Sequence, residues 1–314
     1  MKERIFCAAM PGLEPVVADE LRALGLAARP VDGGAEAEGE DAVAVACLGA
    51  RTAESVLLRL WEGPAGELPR AKREAAARLP GVELQVRPGS PATVSADAAG
   101  APLYKRGWRA RVGAAPLRET VAAAILRWAG WDGTRPFLDP MCGSGTLAIE
   151  AALAACGIAP GVDREFAFER WPGHDAARTA DVRARLRAGG TRRPVGVLAA
   201  SDRNAGALRL AMKNAEAAGV ARELTFSRAD AATVVPPPGG PGLCAVNPPW
   251  GLRLDEGAAD GWRALAALLP RLGGWDLVVL GADRGLERLL PRRPERALEV
   301  RIGGVACRLL HHRP

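Results

Sequence analysis

Downstream of Pro116 the chain changes its rhythm: short apolar runs separated by amphipathic stretches follow one another along the sequence. Each helix between two strands carries the chain back to the starting edge of a sheet, so the strands lie parallel and helices cover both faces. Candidate strands fall at 136–138, 195–200, 223–227, 243–246, 276–281, 295–301 and 305–311, with helices starting near Gly145, Asn204, Asp260 and Arg284. Leu117, Val121, Ala124, Ile125 and Trp128 form one apolar helix face that stops at Gly130. Gly303-Gly304 suits a tight turn, so the last two strands are expected to be antiparallel. These signals predict an α/β, Rossmann-like domain with a mostly parallel seven-stranded sheet and a terminal antiparallel hairpin.

Residues 1–90 read differently, as a small α+β domain. A strand is expected at 5–8, a helix over 13–24 closed by Gly25, a strand at 42–48, a helical stretch at 53–61, a helix over 69–79 and a strand at 82–86. The turn Arg87-Pro-Gly-Ser-Pro91 places the domain boundary at 90/91, and the second domain, 91–314, begins with a basic hairpin over 94–113. The longest uncharged apolar run, 42–50, is far short of the ~20 residues that a membrane span needs, so no membrane association is expected. Met1-Lys2-Glu3-Arg4, followed by Pro11 and Gly12, does not read as a secretory signal. The six cysteines are far apart without a C-x-x-C pair, and only three histidines accompany them. Reduced thiols in a cytoplasmic protein, with no metal, are expected. Net charge is +6, and all but four of the 42 basic residues are arginine. Arginine suits phosphate contacts, although GC-rich coding produces the same bias.

Two motifs carry chemistry. Phe137-Leu-Asp-Pro-Met-Cys-Gly-Ser-Gly-Thr-Leu-Ala148 runs from a strand through a glycine turn into a helix, where unpaired N–H groups and the missing side chains of Gly143 and Gly145 admit a ligand. Gly143-x-Gly145-x-x-Ala148 also fits a dinucleotide fingerprint with Asp163 as its ribose acid. Asp163 follows turn residues, however, whereas Asp202 ends an apolar strand and Asp139 stands at the tip of the first one. S-adenosylmethionine is therefore preferred over NAD as the cofactor. The second motif is Asn247-Pro248-Pro249-Trp250-Gly251 at the end of another strand. Its prolines remove two N–H donors, so the turn presents acceptors, the Asn247 side-chain oxygen and the Pro248 carbonyl, while Trp250 offers a stacking face. Such acceptors suit a conjugated NH2 group whose nitrogen receives a methyl. Asp230, after the strand at 223–227, is placed to accept from an adenine amine. In Tyr104-Lys-Arg-Gly-Trp-Arg-Ala-Arg111, the residues Lys105, Arg106, Trp108, Arg109 and Arg111 are expected to contact RNA. The segment from Glu165 to His174, with Phe166, Phe168 and Trp171, reads as an insertion packed over the sheet.

Val94-Ser-Ala-Asp97, Tyr104 to Arg109, Ala115-Pro-Leu-Arg-Glu119, Leu138 to Thr146, Phe166-Ala-Phe-Glu-Arg-Trp-Pro172 and Asn247 to Gly251 together resemble the bacterial THUMP-domain RNA guanine-N2 methyltransferases, nearest to the 23S rRNA branch. The resemblance implies a class I S-adenosylmethionine methyltransferase fold and methylation of a guanine N2 amine in rRNA by a monomer. It implies cofactor contacts at Pro116, Leu117, Asp139, Pro140, Cys142, Gly143, Ser144, Gly145, Thr146, Asp202, Asp230, Ala231 and Asn247, with Asn247, Pro248 and Trp250 as the catalytic set. Two departures stand out: Trp250 occupies the family's usual Tyr position, and the THUMP module is shortened. A tRNA guanine, an adenine N6 or a glutamine N5 presents the same NH2 group. A noncatalytic RNA-binding or ribosome-assembly factor is the reading from another class.

Overall fold

The computed structural model describes residues 2–109, 117–190, 193–250 and 256–313. They divide into two compact units, one formed by residues 1–105 and 159–190, the other by 106–158 and 191–314.

The first unit opens with β1 (Lys2–Ala8), α1 (Glu14–Ala23), β2 (Ala27–Val31), β3 (Gly34–Glu40), α2 (Ala42–Gly49) and β4 (Ser55–Gly63). It continues through α3 (Leu68–Arg78), β5 (Leu84–Arg87) and β6 (Ala92–Asp97). The sheet is antiparallel, in the order β2-β3-β1-β4-β6-β5. Pro15 stands in the first turn of α1, where its missing N–H costs nothing, and Gly25 at φ 88° ends the chain's helical path. Two expectations are corrected here. Residues 42–48 form helix α2 and not a strand, because Ala42 to Gly49 is enclosed by core on nearly every side and shows no period. The stretch at 53–61 is strand β4, in register with both β1 and β6, and not helical. The boundary expected at 90/91 falls inside the sheet, since β5 and β6 flank it and pair from Leu84↔Ala96 to Arg87↔Thr93. Residues 94–97 belong to β6, and no strand follows among the described residues up to 109, so there is no basic hairpin over 94–113 within them.

The second unit begins with α4 (Glu119–Trp128), β7 (Phe137–Asp139) and α5 (Thr146–Ala155). The chain then contributes 159–190, including α6 (Ala176–Gly189), to the first unit: Phe166, Phe168 and Val182 join the core of Ile5, Val17, Leu21 and Leu48. The second unit resumes with β8 (Leu198–Ser201), α7 (Ala205–Ala217), β9 (Leu224–Ser227), β10 (Leu243–Val246), α8 (Glu256–Leu268), β11 (Asp276–Gly281), α9 (Arg284–Glu287), β12 (Arg296–Ile302) and β13 (Val305–His312). Its sheet has the order β12-β13-β11-β10-β7-β8-β9; the five strands from β11 to β9 are parallel and β13 is antiparallel to both neighbours. From β7 the chain winds outward to β8 and β9, then returns to β10 and winds the other way, so the order reverses between β7 and β10. That reversal opens a crevice at the carboxyl edge of the sheet.

Candidate functional site

A cleft of about 690 Å³ lies at this edge, within the range that encloses small ligands. Of the predicted residues it is lined by Leu117, Pro140, Gly143, Asp202, Asp230, Ala231, Asn247, Pro248 and Trp250. Arg118, Met141, Arg203, Pro249, Gly261, Ala264, Ile302, Gly303 and Val305 complete the wall. Arg118, Arg203 and Pro249 adjoin predicted residues and were within reach of the sequence. The α8 and hairpin residues are brought in only by strand order.

The glycine loop is braced by hydrogen bonds from behind. Gly143 N–H donates to Asp202 Oδ2 at 2.9 Å, Cys142 N–H to the Ser201 carbonyl at 2.9 Å, and buried Asn214 gives its Nδ2 to the Ser144 carbonyl at 2.9 Å. Asp202 Oδ1 accepts from Asn204 N–H at 2.8 Å, while the Asn204 side chain caps α7. One carboxylate thereby locks the tip of β8 to the loop after β7. Asp230 Oδ1 accepts from Ala232 N–H at 2.9 Å, which turns the chain after β9 into the cleft.

The two glycines of the loop have different duties. A Cβ on Gly143, at φ 53°, would meet no atom within 4 Å, so this position borders open space in the cleft. At Gly145, φ is 87° and a Cβ would lie 3.0 Å from Ala211 Cβ of α7. Its requirement comes from the packing of α5 on α7 and not from ligand approach. Asp139, Cys142, Ser144, Gly145 and Thr146 lie outside the cleft wall. Asp139 is only 1% exposed, and burial pushes its carboxyl up to about 8, with Asp202 adding in the same direction. It lies beneath the loop, where its Oδ1 accepts from Met141 N–H at 3.3 Å.

At the other motif, Trp250 Nε1 donates to Asn247 Oδ1 at 2.8 Å, and buried Trp262 Nε1 donates to the Pro249 carbonyl at 3.3 Å. Asn247 is therefore fixed by an indole, with the second lone pair of its oxygen still available.

The basic segment is corrected. Arg106 is buried against Glu150 of α5 at 3.3 Å, with side chains 3% and 0% exposed. Arg109 binds Glu119 at 2.9 Å, the Leu117 carbonyl at 2.9 Å and Thr146 Oγ1 at 3.1 Å, and Trp108 is buried with the Arg109 guanidinium over its ring. Arg106 and Trp108 are buried, and Arg109, 12% exposed at its side chain, spends its donors on tying α4 to α5, so the expected contact surface is turned inward at these three residues. Lys105 is exposed; Arg111 and Pro116 lie outside the described residues. Asp163 pairs with Arg187 in the first unit and takes no part in the cleft, which removes the dinucleotide alternative's acid. Among the described residues no helix is long and apolar enough to cross a membrane.

The residues fit S-adenosylmethionine: two strand-tip acids stand where hydroxyls and an amine would be recognised, beside a glycine position without a side chain.

Comparison with known proteins agrees with this geometry. The profile of the RMKL-like methyltransferase domain matches residues 106–311, and that of the RlmL ferredoxin-like domain matches 4–57. The ribosomal RNA large subunit methyltransferase K/L of Pseudoalteromonas atlantica is 37% identical over 232 residues, 70% of this chain and 32% of that protein. The chain thus spans about a third of the length of this relative. Among solved structures, SMU.472, described as a methyltransferase complexed with S-adenosylhomocysteine, is 25% identical with TM-score 0.86, over 99% of this chain and 98% of that one. A protein described as a predicted N6-adenine-specific DNA methylase from Listeria monocytogenes is 25% identical with TM-score 0.85, over 99% and 96%. TrmN from Thermus thermophilus, 23% identical with TM-score 0.69 over 99% and 100%, shares the fold.

Proposed function

Because the chain belongs to the RMKL-like methyltransferase family, we propose that it methylates the exocyclic N2 amine of a guanine in large-subunit ribosomal RNA, with S-adenosylmethionine as the methyl donor. The observation that carries this reading is Asn247 Oδ1, fixed by Trp250 in the wall of the same cleft as Asp202 and Asp230.

The donor supplies an electrophilic methyl group on a sulfonium centre. Asp202 and Asp230 would accept from ribose and adenine groups of the donor, and the loop around Gly143 leaves room beside them. Asn247 Oδ1 and the Pro248 carbonyl accept the two N–H bonds of a planar amine. Acceptors on both hydrogens turn the nitrogen lone pair toward the methyl and draw it out of conjugation with the ring. No strong base is needed before transfer, because the nitrogen becomes acidic only as the N–CH3 bond forms and the S–CH3 bond breaks, and its proton then passes to solvent. We assign capture of the RNA to the first unit on its match to the RlmL ferredoxin-like domain; its groove of about 370 Å³ mixes Arg4, Arg29 and Arg59 with Glu36 and Glu38, and the three arginines pair with Glu62 and Glu36. The choice of ribosomal RNA rests on the P. atlantica relative, and that of N2 on the motif resemblance. Adenine N6 is the second reading, favoured by the description of the Listeria neighbour.

Incubation with labelled S-adenosylmethionine and large-subunit rRNA from a deletion strain tests this, followed by nucleoside mass spectrometry. N2-methylguanosine is expected. N6-methyladenosine, or label in protein only, would replace the reading.

A further inference from the structure

Along the carboxyl edge, strand order decides which tips flank the cleft. Asp202 follows β8 and Asp230 follows β9, so the acids gather on one side of the reversal, while Asn247 follows β10 on the other. Beyond Asn247 the cleft ends at the β12–β13 turn. That turn reaches this edge because β13 is antiparallel to β11: Gly281, the last residue of β11, pairs with Arg308, and Val305 lies three residues further out. Two strand spacings, about 10 Å, separate β10 from β13.

Among the described residues the wall that follows Asn247 along the chain runs through Pro249, Trp250, Gly261, Ala264, Ile302 and Val305 and has no charged residue; the two arginines of the cleft, Arg118 and Arg203, stand at the start of α4 and beside Asp202. The two halves of one cleft thus differ in kind: a half with acids, and an apolar half that begins at the acceptor oxygen of Asn247. Gly261 sits against the motif itself. A Cβ there would lie 3.1 Å from Pro249 Cδ, and Pro249 is held from behind by fully buried Trp262, so neither partner is free to yield. The same Cβ would lie 3.9 Å from Met141 Cε of the loop after β7, so a larger side chain at 261 would press on the motif and on that loop.

We propose that this half is the subsite that selects the acceptor base, with Gly261 of α8 and the hairpin residues Ile302 and Val305 as its specificity-determining positions. It takes a flat purine by burial of both ring faces, and Asn247 holds the amine at its edge. This rests on the nucleobase reading given above.

The test uses the full chain and the variants Gly261→Leu and Val305→Trp, the second of which leaves α8 untouched. With S-adenosylhomocysteine bound, saturation transfer from protein to free guanosine should be seen in the wild type and lost in both variants. Persistence in both, or its absence in the wild type, overturns the subsite. Affinity for S-adenosylhomocysteine should stay within about twofold in Val305→Trp, whose strand lies about 10 Å from β10, since sites at least about 7–10 Å apart act independently. An equal loss of that affinity would assign the slot to the cofactor and also overturn the proposal. Methyl transfer to rRNA should fall at least about tenfold in kcat/KM. Wild-type enzyme that labels no RNA while guanosine contact follows the variants would defeat the rRNA reading and leave the subsite standing.

Discussion

At the residue scale, the hydrogen bond from Trp250 to Asn247 explains how a Trp can occupy a position where the resemblance leads one to expect Tyr. The indole N–H fixes the amide that must accept from the substrate. Trp250→Phe keeps an aromatic face and loses the donor, so kcat should fall roughly five- to tenfold, the worth of one ordinary hydrogen bond, while KM for RNA changes little. Asn247→Ala should cost ~10²–10³ in rate with cofactor affinity intact. Steady-state kinetics beside calorimetry with S-adenosylhomocysteine checks both, and equal kcat in Trp250→Phe and wild type would remove the indole from the mechanism. Asp139 makes a different demand. Its carboxyl is raised to about 8 in the fold by burial, whereas the unfolded chain ionises near 4. Between these values the unfolded state gives up a proton that the folded state keeps, so wild-type stability should decline from about pH 4 to pH 8. Asp139→Asn lacks that titration, and its Tm relative to wild type should rise steadily from pH 5 to pH 8. A Tm difference independent of pH would mean the carboxyl is ionised in the fold. The cleft side of Asn247, Asp202 and Asp230 was readable because each follows an apolar run that ends in a turn. The split between Gly143 and Gly145 was not, since Ala211 is far along the chain.

Strands of the second sheet were legible to about one residue at each end, because Gly, Pro and polar turns bracket them, except that β8 starts at Leu198 and not at 195; α8 starts at Glu256, four residues before the expected Asp260. The first unit was harder: an Ala/Val run such as 42–49 is equally consistent with a buried helix and a buried strand, and only its pairing partners decide. The expectations for Arg106, Trp108 and Arg109 failed for another reason. Arginines interleaved with aromatics look alike whether they face phosphate or bury against carboxylates, and here Glu119 and Glu150 supply the carboxylates from two later helices. Arg106→Ala should therefore act on stability, by about 3–5 kcal/mol, the usual cost of leaving one partner of a buried pair alone. The salt dependence of RNA binding by the surviving folded protein should be unchanged. A slope that falls by about one ion would restore Arg106 as a phosphate contact. Arg109→Ala should additionally weaken S-adenosylhomocysteine binding, because Arg109 ties Thr146 and the Leu117 carbonyl at the cleft's border.

For the whole molecule, charge and composition suggested nucleic acid without locating it, and the two units divide the expected labour between capture and transfer. Neither unit is a continuous piece of chain. The polypeptide crosses between them at 105/106, 158/159 and 190/191, and the first core is finished only by Phe166, Phe168 and Val182. A fragment of residues 1–105 should therefore lack a cooperative thermal transition, whereas a fusion of 1–105 to 159–190 through a flexible linker should regain one. Cooperative unfolding of the short fragment would show that the insertion is dispensable.

The same interleaving has a consequence for how the protein is made. During synthesis the N-terminal sheet emerges first, yet it must wait until residue 190 has left the ribosome before its core can close. By then β7 and the glycine loop are already exposed and waiting in turn for β8 to β13. The two units mature late and nearly together, so gene exchange that swapped only the leading segment would sever the aromatic insertion from the core it completes. Inheritance of the first unit is thereby coupled to inheritance of the second.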